Sequence, residues 1–160
     1  MMNRTFVNVG AAAVIAVAAA MSFSGLAMAG KCPADKVVPD GQGQAAGATM
    51  PKDVTDTVLA SIDLSKEMVK LDDHLFRMRR LEIKPGGIVP WHSHADRPAL
   101  IYVVQGTITE YASICKVPIV HNAGDVSVDA GRSHWWKNTG KKTVVLISAD
   151  ILHDKMDANM

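Results

Sequence analysis

The chain has few cysteines, no surplus of either charge and no long hydrophobic run. Two cysteines in 160 residues exclude a disulfide-dense mini-fold and a zinc site built from four thiolates. Lys plus Arg number 17 and Asp plus Glu 16, so the basic stripe of a nucleic-acid-binding surface is missing. No stretch reaches the roughly 18 uninterrupted apolar residues of a membrane-spanning helix. What is present, 48% hydrophobic and 21% charged residues, is globular composition, and the length suits one domain.

The N-terminus reads as an address. Arg4 is the only charge before Lys31, Gly10 to Met21 is apolar, and Ala27-Met28-Ala29 offers a small-x-small cleavage pattern. Residues 1–29 are therefore read as a secretory signal cut after Ala29. An uncleaved N-terminal anchor is the alternative. Lys31, just before Cys32, spoils a lipoprotein cut. Losing Arg4 brings the basic residues level with the 16 acidic ones. A periplasmic or secreted chain, with no stable membrane association after cleavage, can oxidise Cys32 and Cys115. An internal disulfide is the leading expectation; two free thiols or an intermolecular bridge are the alternatives.

Residues 30–55 read as a flexible arm, because Gly41 to Ala48 is rich in small residues. Residues 56–153 read as an all-β barrel and 154–160 as a tail. From Leu75 onward, short apolar runs alternate with turn signals at Pro85-Gly86-Gly87, Gly106, Gly124, Gly131 and Gly140. No helical repeat is sustained there.

His92 and His94 are two residues apart, so on a strand both imidazoles project to one face. His134 follows 40 residues later in a similar glycine–turn–strand setting. Two facing hairpins would bring three imidazoles together, and a divalent metal would satisfy them at once. The alternative is a barrel lined by histidines bonded to one another and to water. His121, in Val120-His121-Asn122, reads as a loop residue, either supporting the site from behind or lying on the surface. His74 and His153 read as solvated.

These residues carry a resemblance. Gly86-x5-His92-x-His94 followed by Gly106 resembles the first cupin motif, and Gly124, Asp129-Ala130-Gly131, His134 and Asn138 resemble the second. The resemblance implies a jelly-roll β-barrel with a metal inside, and makes a homodimer an expectation. The sequence departs from the family pattern where a glutamate ligand usually stands: Ala99 occupies that place. Asp96, Glu110 or water would take over, with water the first choice. The family includes active three-histidine iron dioxygenases.

Arg97 and Arg132 lie close to the proposed ligands and are candidates to hold a substrate carboxylate, with surface solubility as the alternative role. Trp136 shares strand parity with His134 and is a candidate cavity wall, whereas Trp91 and Trp135 fall on the other face. The resulting expectation is an exported mononuclear cupin carrying one divalent transition metal (Fe, Mn, Ni, Cu or Zn) and a small-molecule ligand. Dioxygenase-type oxidation is the chemistry it would perform as an enzyme. The alternative is a non-catalytic module that binds a small molecule or metal.

Overall fold

The computed structural model describes residues 30–153; the expected signal (1–29) and tail (154–160) lie outside the described residues. Eight strands form in chain order: β1 (Lys52–Asp63), β2 (His74–Ser93), β3 (Ala99–Gln105), β4 (Thr107–Ala112), β5 (Ile119–Asn122), β6 (Val126–Asp129), β7 (Ser133–Lys137) and β8 (Val144–His153). The pairing order is β5-β4-β7-β2-β8-β3-β6, with β1 added along the first half of β2. All ladders are antiparallel. The sheet curls into a nearly closed, all-β barrel, as a jelly roll requires.

The long strand β2 does two jobs. Its first half pairs with β1 and β8, and its second half with β7. Between them lies the Pro85-Gly86-Gly87 bend. A Cβ on Gly87 would sit 2.7 Å from Ile83 Cγ2 and 2.8 Å from the Asp53 carbonyl, so only glycine lets the strands approach there.

The β2–β8 register stacks the interior in layers. Ile83 faces Val144, Leu81 faces Leu146, Arg79 faces Ser148 and Arg77 faces Asp150. All eight are buried. The first two layers join Val103, Ile108 and Trp136 in the main apolar core. The last two are polar.

The N-terminal stretch lies along the barrel. Cys32 and Cys115 form a disulfide with Cα atoms 5.8 Å apart. Closing a loop of this length constrains the unfolded chain by about 4 kcal/mol in the chain-entropy model. Backbone bonds from Gly30 to Val120, Val38 to Ile114, Gly43 to Ser113 and Gln44 to Ala112 fasten the rest. Strand β1 begins at Lys52, inside the segment read as arm. Gly43 packs on the Cys115 backbone and Gly47 on the Trp135 ring, so these glycines serve close approach. Among the described residues, no helix is long and apolar enough to cross a membrane.

Candidate metal centre

The second half of β2 and the facing strand β7 carry the site. Val89 pairs with Trp136 and His92 with His134, so β2 spends one more residue than β7 between the two pairs. That bulge shifts the side-chain alternation and puts His92 directly opposite His134. His94 lies one residue beyond the strand. Its backbone N–H donates to the Arg132 carbonyl, and its own carbonyl accepts from Gly131 N–H. Both histidine segments are thus tied to the turn before β7.

The three rings converge through their Nε2 atoms. His94 Nε2 lies 3.0 Å from His92 Nε2 and 3.1 Å from His134 Nε2, and the last pair is 3.2 Å apart. Each ring's other nitrogen has an acceptor. His92 Nδ1 is 2.8 Å from the Pro90 carbonyl, His94 Nδ1 2.6 Å from the Arg97 carbonyl, and His134 Nδ1 2.8 Å from Glu110 Oε1. A carbonyl or carboxylate oxygen can only accept, so all three Nδ1 atoms carry the proton and all three Nε2 atoms present lone pairs. Three lone pairs aimed at one another repel unless a cation stands among them. Their spacing suits nitrogens that share one ion at about 2.1 Å. The Trp136 indole N–H, 3.3 Å from His134 Nε2, can serve only one of the three. The donor set therefore fits a borderline divalent metal.

Electrostatics agree. Burial pushes the His92 imidazole down to about 2 and that of His94 to about 4, with the neighbouring His134 adding to both effects. Both rings are neutral, the form that binds metal. Burial alone would raise the Glu110 carboxyl, but hydrogen bonds from His121 and His134 outweigh it and hold the group well below the usual range. Glu110 is thus an ionised acceptor behind His134, the arrangement that orients metal-bound histidines.

Residues 79–150 match the family model described as a cupin domain. A predicted oxalate decarboxylase from Thermotoga maritima is similar in structure, at 22% identity and a TM-score of 0.52, over 71% of this chain and 94% of that one. The cupin domain of an XRE-family transcriptional regulator from Enterobacter cloacae aligns at 15% identity and 0.49, over 62% and 96%. No curated protein matches the chain. The chain carries a cupin domain.

Within this cupin, the place of the usual glutamate is held by Ala99, buried opposite Asp129 and Asp150. Glu110 does not stand in as a ligand beside the Nε2 atoms. Its two oxygens are taken by His134 Nδ1 and by His121 Nε2, at 2.7 Å, on the far side of the ring. Asp96 is exposed in the bend after His94. Glu110, Asp129 and His134 also cluster, but Arg132 already pairs with Asp129 and lies 3.8 Å from Glu110. That cluster is an ion-pair network.

The arginines chosen from sequence are structural participants. Arg97 is buried, offers its carbonyl to His94 and places its guanidinium 4.0 Å from Asp150. Arg132 binds Asp129 and Ser127. Trp136 is buried and lines the cavity beside the histidines. Trp135 stacks on Tyr111 outside, as parity required. His74 and His153 pair at the strand tips.

Of the two roles open to His121, the structure shows the supporting one, from a strand rather than a loop, and it places Glu110 behind the ring of His134 rather than at the metal position. His121 sits fully buried in β5, and its bond to Glu110 supports the site from behind. Glu110 shares strand parity with the buried Ile108 and Ala112, so its inward direction was a usable signal. The cavity beside the histidines is small, about 10 Å³, room for one water-sized group. Leu81, Val89, Ile101, Leu146 and Trp136 wall it.

Proposed function

We propose that this protein is an exported mononuclear metal cupin in which His92, His94 and His134 hold one divalent transition metal, and that its chemistry is dioxygenase-type oxidation of a small molecule. The observation that carries the metal reading is the triangle of unprotonated Nε2 atoms 3.0–3.2 Å apart. A bound Fe(II) would supply Lewis acidity and one-electron chemistry, with positions beyond the three nitrogens left for substrate and dioxygen. The protein's own groups hold the geometry. The Pro90 and Arg97 carbonyls and the Glu110 carboxylate keep the three rings in one tautomer, and the apolar walls exclude water. Export is supported by the signal-like N-terminus and by the disulfide.

The test is anaerobic loading with Fe(II), followed by oxygen-uptake measurements across a set of small organic acids and thiols. Substrate-dependent uptake that His92→Ala abolishes supports the enzyme. Stoichiometric metal with no uptake for any compound supports the second reading, a non-catalytic binding module. The cavity's size limits either reading to a small ligand, because a bulky organic molecule finds no room as the walls stand.

A homodimer is proposed as well. On the outer face of the sheet, Ile62 faces Phe76, Met78 faces Ala149, Leu100 faces Val128, and Tyr102 faces Val126. Seven of these side chains, Ala149 excepted, are exposed by 40% or more. Together they form one exposed apolar face across neighbouring strands, the kind of contiguous patch that marks an interaction surface rather than singly scattered apolar residues. The occupant proposed is a second copy of this chain. Sedimentation should show a dimer, and Leu100→Lys combined with Val128→Lys should return it to monomer. A monomeric wild type at micromolar concentration overturns this.

A further inference from the structure

We propose that Arg79 and Ser148 are the recognition pair for a small carboxylate docking against the three-histidine centre; this rests on the metal reading above and names the ligand class for that site. The two residues are cross-strand partners on β2 and β8, both inward-facing and both buried. Both line the cavity that also touches His92 and His94.

The guanidinium of Arg79 is fixed in place. One terminal nitrogen donates to Asp56 at 2.5 Å and the other to Asp150 at 3.3 Å. Among the described residues, its Nε–H has no acceptor and the Ser148 hydroxyl has no partner. Buried polar groups are normally satisfied, so two idle ones in a single small cavity need an explanation. A ligand that answers both must bring acceptor oxygens, and negative charge suits a guanidinium. A carboxylate supplies both. The apolar walls keep the local dielectric low and strengthen such bonds. The volume sets the size limit: the end of a formate-sized anion enters, and a ring does not.

The arrangement also says why Arg97 and Arg132 are poorer candidates. Arg132 is spent on Asp129 and Ser127, and neither Arg97 nor Arg132 lines this cavity. Arg79 was not singled out by proximity to the histidines in sequence, because it lies 13 residues before His92. The β2–β8 ladder brings it to the site.

The experiment is calorimetric titration of the full protein with sodium formate and, separately, sodium benzoate. It is run on zinc-loaded and on metal-free protein, with bound zinc counted by elemental analysis. Formate should bind and benzoate should not. Ser148→Ala, which removes only the hydroxyl, should weaken formate about 10-fold, with bound zinc unchanged. Arg79→Lys keeps the charge but removes Nε and should weaken it at least as much. Formate binding unaltered in both variants, no formate binding to the wild type, or benzoate binding as tight as formate each overturns the proposal. Failure of the wild type to retain zinc overturns the histidine reading alone. The metal-free titration then decides this one by the same Ser148→Ala comparison.

Discussion

The two ends of the barrel interior are built from opposite chemistries. At one end Ile83 faces Val144 and Leu81 faces Leu146, and Val103 and Ile108 complete an apolar cluster. At the other, Arg77 faces Asp150 and Arg79 faces Ser148, with Asp129 buried across Ala99 from Asp150 and Glu110 clustered with Asp129. The apolar end contributes stability by burial alone, with no geometric demand beyond packing. The ions of the charged end need counter-charges, because an unpaired desolvated ion costs several kcal/mol. A fold that keeps so many buried charges around three histidines has put cohesion at one end and chemistry at the other.

The sharpest way to break that contrast is at Asp150, which accepts two bonds from Arg77 and one from Arg79. Asp150→Ala should destabilise by about 3–5 kcal/mol, since Arg77 loses both bonds to this carboxylate and Arg79 keeps only Asp56; a denaturant melt reads it. At the apolar end, Ile83→Ala should cost about 2–5 kcal/mol, with metal content per folded chain unchanged. Metal lost in step with Ile83 would dissolve the division between the two ends.

Glu110→Gln tests the link between the charged end and the metal. Affinity should fall about 10- to 100-fold, measured by competition with a chelator, with the fold intact by circular dichroism. Unchanged affinity would reduce Glu110 to a packing role.

Acid gives a smaller, graded effect. His92 and His94 have lowered values in the fold, near 2 and 4, against about 6.5 when unfolded. Between those limits the unfolded chain binds more protons, so stability falls as pH falls. The loss begins near pH 6.5 and reaches on the order of 1 kcal/mol per pH unit for each histidine. Glu110, held low, acts in the same direction below its unfolded value. Melting metal-free protein from pH 7 to 4.5 reads the slope; a flat profile contradicts neutral, buried rings. His74, at the strand tips, should matter least: His74→Ala should stay within about 0.5 kcal/mol.

Much of the site was legible because it rests on local rules. The i, i+2 spacing of His92 and His94, the parity of Trp136 with His134, and the even cysteine count each follow from one strand or one compartment. What was hidden depends on distant pairing. Strand β5 is four residues long, too short for Val120-His121-Asn122 to announce a strand. Arg97 looked available because its carboxylate partner, Asp150, reaches it only through the fold, whereas Asp129, three residues before Arg132, was a local partner in plain sight. The glycines at 43 and 47 suggested slackness, whereas contact with Cys115 and Trp135 is what requires them. One clue lay in plain view: Arg79 and Ser148 keep the inward parity of Leu81 and Leu146, and a polar residue at a core parity signals a site.

The central claim is that three imidazole nitrogens share one ion, and metal stoichiometry reads it most directly. Elemental analysis of protein purified from its native compartment should give one transition-metal ion per chain, and close to none after His134→Ala in a folded variant. A wild type free of metal, or a His134→Ala variant that keeps its full complement, would contradict the account.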